Sequence, residues 1–295
     1  MNKVFSDKKA IFLFVFPAFL VFFMIIILPI FFSAYYSTLD WNGIGKATFI
    51  GIQNYINLFV NNTDGFVMSI KNSFIVALLS VFVQVPLALI LALVIAKGIK
   101  WEGLFRTVYF IPVIISTTVI GQLWMKIYQP KYGMLNNILD IVGLDFLKHN
   151  WLATPETALG SAFFVIIWQY IGYHMLLLYS GIKAIPTTIY EAAEVDGANN
   201  FQKATRITIP LILPMLKVCV TFALVGSLKT FDLIYVLTKG GPIHATEVPT
   251  TLMFSTIFLQ NKYGYGSSMS IFIILECLVF TIFLQKVFKA ETITY

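Results

Sequence analysis

The side chains of this 295-residue chain that can do chemistry are sparse and scattered. His149, His174 and His244 lie far apart in sequence. Cys219 and Cys277 each sit in an apolar run without CxxC or Cys/His spacing, so neither a metal site nor a disulfide framework is indicated. No nucleophile–base pair is evident, which argues against a membrane enzyme. A phosphate-binding GxxxxGK[ST] loop is absent. DWNGIGKAT (40–48) comes nearest, with Asp40 where the first Gly belongs and Ala47 after the Lys. What remains is hydrogen-bonding capacity inside apolar surroundings. Ala223, Gly226, Ser227 and Thr230 follow i, i+3, i+4, i+7 spacing and share one helix face. Their small size leaves room, and their hydroxyls can bond a neutral ligand; the same face also suits helix–helix packing. Gln169, Tyr170, Tyr173 and His174 combine rings with amide and imidazole groups. They read as a pocket wall or as an interfacial aromatic belt, and their distance from Lys183 places them nearer midplane. Ser116, Thr117 and Gln122 are weaker candidates, because Ser and Thr often bond their own helix. Glu276 and Asp232 lie in apolar surroundings where acids are often functional; Asp232 can pair with Lys229.

The elements that position these residues are membrane spans. Hydrophobic residues make up 58% of the chain and charged residues 12%, against about 25% charged in a soluble domain. The mean hydropathy is +0.83. A span needs about 20 apolar residues. Uncharged runs cover 10–39, 72–96, 107–125 and 157–182. The first is too long for a signal peptide and reads as a retained span. A fifth candidate, 211–237, carries Lys217, Lys229 and Asp232 and crosses only if both lysines snorkel. A sixth, about 267–285, holds Glu276 among Ile, Leu, Phe and Val. With the N-terminus inside, the inner side receives Lys3, Lys8, Lys9, Lys97, Lys100, Arg106, Lys183, Lys203, Arg206, Lys217, Lys286 and Lys289, which is 12 of the 20 basic residues. The positive-inside bias therefore favours cytoplasmic termini and a cytoplasmic loop between spans four and five. The net charge of +6 is read as orientation, not nucleic-acid binding.

That loop, EAAEVDGANNFQKATRITIP (191–210), is a polar interruption in an oily chain. Thr188 and Glu191 have capping-box spacing, so a helix can start near Ile189. Gly197 suits a left-handed helix end. Asn199 or Asn200 can cap a second helix through 201–206, which Pro210 then stops. Two short helices with a sharp bend are expected, with few bulky groups at Ala192, Ala193 and Ala198 and an unpartnered aromatic at Phe201. Such a knob fits a groove in another protein; a solvated helical loop is the plainer alternative.

Glu191-Ala192-Ala193, then Gly197, then Ile207-x-Ile209-Pro210 closely resembles the EAA loop of ABC-importer permeases, with Ile-Pro in place of Leu-Pro. FIGIQNYINLF (49–59), FRTVYFIP (105–112), IKAIPTTIYEAAEVDGA (182–198), FDLIYVLTKGGP (231–242) and YGYGSSMS (263–270) look like the carbohydrate-uptake permeases, in the expected order. Gly240-Gly241-Pro242 followed by Thr246 is closer to the maltose-F-type subunit than to its G-type partner. The resemblance implies an all-α membrane protein with six transmembrane helices, a type I ABC-importer permease fold and a cytoplasmic coupling helix. It implies one permease domain over 1–295, with spans at 10–39 and about 70–97, 106–126, 158–183, 211–237 and 267–287, and a coupling loop at 186–210. Glu191, Ala192, Ala193 and Gly197, with Ala198 and Phe201 beside them, would form the docking element.

The implied protein is one permease subunit of an ATP-driven, binding-protein-dependent sugar importer in the bacterial plasma membrane. A G-type permease, two cytoplasmic ATPases and an external sugar-binding protein would be its partners. ATP and Mg would be used by the ATPases, with no cofactor on this chain and no nucleic-acid partner. Gln169, Tyr170, Tyr173, Ala223, Gly226, Ser227, Thr230 and Thr117 would face the sugar, whose CH faces and hydroxyls match rings and polar groups. The alternative is a proton-coupled secondary transporter using Glu276 and Asp232; internal inverted repeats, which would support it, are not seen.

Overall fold

The computed structural model describes residues 8–62 and 64–288; Lys3 and Lys289 of the charge count lie outside the described residues. Four helices are long and apolar enough to cross a membrane: α1 (Phe12–Tyr36), α3 (Phe66–Ile95), α7 (Pro155–Lys183) and α13 (Tyr263–Val287). Two bent pairs bring the number to six if each pair is one span: α4 (Glu102–Ile114) with α5 (Thr117–Ile127), and α9 (Asn200–Leu211) with α10 (Leu213–Leu228). Shorter helices are α2 (Gln53–Ile56), α6 (Met134–Ile141), α8 (Thr187–Val195), α11 (Asp232–Thr238) and α12 (Pro249–Leu259).

Three prolines share one local solution. Pro29, Pro86 and Pro210 each follow a wide π turn, at Phe23–Ile27, Ser80–Gln84 and Lys203–Thr208. A proline has no N–H and its ring collides with the carbonyl four residues back. The π turn shifts the ladder to i→i−5 just before the ring: Leu28, Val85 and Ile209 donate to the carbonyls of Phe23, Ser80 and Ala204. The helices thus continue through their prolines. This corrects the expectation that Pro210 ends its helix, since α9 runs on to Leu211.

Two further expectations change. The third span is not a straight rod: α4 and α5 meet at 97°. The break falls where the β-branched run Val113-Ile114-Ile115 meets Ser116; Ile115 and Ser116 both have extended ψ angles, 140° and 132°. The fifth span does not reach 237. Its helix ends at Leu228, residues 229–231 are non-helical, and α11 starts afresh. Lys229 thereby sits at a helix end instead of within a span, and Asp232 lies in the first turn of α11, where the helix dipole favours an acid.

The chain divides into two compact units. The first comprises residues up to 64 and 253–274. It contains α1 and an antiparallel hairpin of β1 (Leu39–Asp40) and β2 (Thr48–Phe49), with Leu39 opposite Phe49. Buried Asn54 donates to the carbonyls of Ser37 (2.8 Å) and Leu39 (2.9 Å), tying α2 to the chain leaving α1. Gly264, in the first turn of α13, approaches the Leu39 carbonyl so closely that any Cβ would overlap it. Two of the sequence blocks, FIGIQNYINLF and YGYGSSMS, therefore serve to lock this end.

The second unit, 65–252 with the tail from 275, holds both apolar cores. One packs Val85, Ala88, Ala92 and Ile95 of α3 against Met175, Leu178 and Ile182 of α7. Two alanines at the seam let the backbones come close. The other joins Val76, Ile120, Phe163, Ile166, Leu233 and Ile234. Gly172 of α7 lies against the Tyr109 carbonyl of α4, leaving no space for a side chain.

Candidate functional site

α7 and α10 form two walls of a cavity of about 470 Å³, completed by α3, α4, the first turn of α5 and residues 229–233. Tyr170 and Tyr173 line it from α7, Ala223, Gly226 and Ser227 from α10, Thr230 from the break and Thr117 from α5. Seven of the eight residues read from sequence thus share one cavity. Gln169 does not reach it. That side chain is buried at 1% exposure behind Thr117, with Nε2 3.5 Å from the Thr117 hydroxyl. Ser116 and Gln122 are not among the lining residues either.

The 97° bend explains why Thr117 takes part: it places the start of α5, rather than the middle of a continuous helix, at the cavity. Gly226 leaves open space where a Cβ would stand. Ser227 donates to Ser80 Oγ across the cavity wall at 2.8 Å. Rings of Tyr173 and Phe222 face each other at 6.3 Å, and Tyr173 meets His174 edge-on at 5.4 Å. His174 lines the cavity at 3% exposure, and its Nδ1 has no protein partner; Gln169 Oε1 is equally unpartnered. Buried polar atoms without partners are rare and costly, and His174 brings one to the cavity. Lys229 and Asp232 both line it, but no ion pair joins them among the described residues, against the local pairing expected. Rings, amides and hydroxyls without a dominant charge can hold a neutral polar ligand.

Sequence reading missed Ser80 and Gln84, which line the same cavity from α3 and are 1% and 2% exposed. Their i, i+4 spacing before Pro86 was the available signal. Glu276 is 7% exposed and neither of its carboxyl oxygens has a hydrogen-bond partner among the described residues. Among the described residues, no three His, Cys, Asp or Glu side chains are arranged to hold a metal.

The polar loop folds as two short helices. α8 starts after Pro186 without a side-chain cap, so Thr188 and Glu191 do not form the expected capping box; the fixed backbone of Pro186 sets the entry instead. Gly197 does close α8, at φ +78°. Its N–H bonds the Glu194 carbonyl (3.0 Å), and that of Ala198 bonds Ala193 (2.9 Å), the paired pattern of a Schellman end. Asn199 caps α9: its Oδ1 accepts from Gln202 N (2.9 Å) while its N–H donates to Gln202 Oε1 (2.8 Å). Lys203–Glu194 (2.7 Å) and Tyr190–Thr208 (3.0 Å) brace the two helices. Glu191, Ala192, Gly197 and Phe201 are exposed, with Phe201 at 76%; Ala198 is half-buried. Ala193 is buried and supports the knob from within, which removes it from any contact surface. Val195, not foreseen, is 90% exposed.

An exposed, braced knob lies in the chain between the two helices that wall the cavity. Residues 84–291 match the family described as binding-protein-dependent transport system inner membrane component. The chain belongs to this family. The permease is 38% identical to the probable ABC transporter permease protein YurN of Bacillus subtilis, over 96% of this chain and 97% of that one. It is 34% identical to the trehalose/maltose transport system permease protein MalF of Thermococcus litoralis, over 96% and 95%. A chain of a bacterial alginate ABC transporter, crystallised with its alginate pentasaccharide-bound periplasmic protein, has the same fold: TM-score 0.84 at 24% identity, covering 98% of the permease and 96% of that chain. The permease is thus a membrane subunit of an ABC importer with the type I fold, not an enzyme. Nothing in these likenesses supports a proton-coupled carrier.

Proposed function

We propose that this permease forms half of the translocation pathway of a sugar importer, oligosaccharides being the substrate class, and that the cavity between α7 and α10 is its sugar-contact region. One observation carries the reading. The knob 187–211 is inserted between the same two helices that wall the cavity, so displacement of the knob bears directly on Tyr170 and Tyr173 on one side and on Ala223, Gly226 and Ser227 on the other. Glu191, Ala192, Gly197, Ala198 and Phe201 offer the surface for a cytoplasmic ATPase, with Ala193 as their support. Both termini lie in the cytoplasm of a bacterial cell. A G-type permease completes the pathway, two ATPase subunits supply ATP hydrolysis with Mg, and an external binding protein delivers the sugar. The relatives named for trehalose and maltose and for alginate support a saccharide, and a cavity of rings and hydroxyls without a dominant charge supports a neutral one. The bound sugar shifts the inward–outward equilibrium only as far as its affinities for the two states differ.

The test is uptake of radiolabelled maltooligosaccharides by cells carrying the full transporter, together with co-purification on a tag on this chain. Tyr173→Ala and Ser227→Ala are expected to lower uptake about tenfold, the loss of one or two sugar hydrogen bonds, with the ATPase still co-purifying. Wild-type uptake in both variants would remove the cavity from the pathway.

A further inference from the structure

A second cavity, of about 830 Å³, lies where the C-terminal ends of α3 and α7 meet the knob. We propose that it holds the headgroup of an anionic phospholipid, with an acyl chain laid along α3. The choice of the inner leaflet rests on the cytoplasmic placement of the knob given above; the binding chemistry does not.

Charge is the first argument. Three ammonium groups line the cavity, those of Lys97, Lys183 and Lys203, against one carboxylate, Glu194. Lys203 is matched by Glu194 at 2.7 Å. Lys183 donates to the Ala96 carbonyl at 3.0 Å and stands 3.8 Å from Glu102, leaving N–H donors to spare. Lys97 takes part in no ion pair among the described residues. The site therefore carries excess positive charge at one end of the spans, where basic pockets between helices recruit phosphate headgroups.

Shape is the second. Ile90, Leu93 and Val94 of α3 and Ile182 and Ile185 make the cavity wall apolar behind the lysines. Val83, Leu87, Ile90 and Val94 follow i, i+4, i+7, i+11 spacing and are each more than a third exposed. Lys97 follows in the turn just past the end of α3. An apolar track ending in an uncompensated ammonium is complementary to one amphiphile, an acyl chain ending in a phosphate. A soluble phosphate leaves the track unused. A protein seam would have to bring an acidic side chain to Lys97, since burying its ammonium unpaired is costly. Because Tyr190, Phe201 and Thr208 of the knob form the opposite wall, an occupying headgroup also bears on the docking element.

The test uses the assembled transporter in detergent and native mass spectrometry of retained lipid, with phosphatidylglycerol and phosphatidylcholine as probes. Phosphatidylglycerol is expected to be retained preferentially. Lys97→Gln should lower its retention about fivefold, the effect of one lysine near an anionic headgroup, and Lys97→Arg should restore it. An exposed Lys97 is not needed for folding, and Lys183→Gln gives an independent second variant. Equal retention of the two lipids, or unchanged retention in both Gln variants, overturns the proposal. Displacement of the lipid by glycerol 3-phosphate alone overturns the lipid in favour of a free phosphate. Cross-linking of a Val94→Cys variant to the second permease overturns it in favour of a protein seam. Labelling of a Lys97→Cys variant by an impermeant thiol reagent on intact cells overturns the inner-leaflet assignment while leaving retention in micelles intact.

Discussion

Gly197 shows what a single position does. It sits at φ +78°, and nothing lies within 4 Å of where its Cβ would stand. A substitution there meets no neighbour, so its whole cost is backbone strain, about 1–2 kcal/mol for an L-residue held left-handed. Gly197→Val is expected to loosen the α8–α9 bend and weaken co-purification of the ATPase, while Gly197→Asn, which tolerates this conformation, retains most of it. Equal retention by both variants would mean that the bend does not set docking. The left-handed end was readable from the spacing of Gly197 after a short helical segment. The role of Ala193 was not: two adjacent alanines look alike in one dimension, and only the burial of Ala193 separates it from exposed Ala192. His174 and Gln169 make the same point, since membership of one short helical stretch says nothing about which of two polar side chains reaches the cavity.

Packing between elements decides where the cavity walls stand. α4 and α7 touch backbone to backbone at Gly172, where the Tyr109 carbonyl occupies the place of a side chain. Backbone atoms cannot rotate away, so Gly172→Ala must separate the helices. The expected loss is about 1–3 kcal/mol, read as a lowered melting temperature of the purified transporter, and uptake should fall with it because α7 carries Tyr170 and Tyr173. An unchanged melting temperature would show that α4 can shift without cost. FRTVYFIP was legible as a sequence block, yet its use as the surface against which α7 packs was not. The break after Ile115 was also hidden, because an uncharged run of sufficient length reads as one span whether or not it turns by 97°.

At the level of the whole chain, the proposed function makes the knob the route by which force enters from a separate ATPase. Uptake should therefore stop when the partner ATPase carries an inactive hydrolytic site and should persist when a protonophore collapses the proton gradient at constant ATP. Uptake that fails only with the protonophore would restore a carrier driven by protons.

Hydropathy and the local spacing of polar residues around Glu191 and Gly197 were enough to read membrane spans and a polar knob, because each is a sum or a local rule along the chain; the family was read from the resemblance of the EAA loop and the five sequence blocks. The bends at Ser116 and Ile212, the break at 229–231 and the meeting of Ser80, Gln84 and Thr117 with Tyr173 and Ser227 depend on which helices touch. Contacts between residues as far apart as Ser80 and Ser227 leave no periodicity in either segment, so their geometry exists only once the helices have packed.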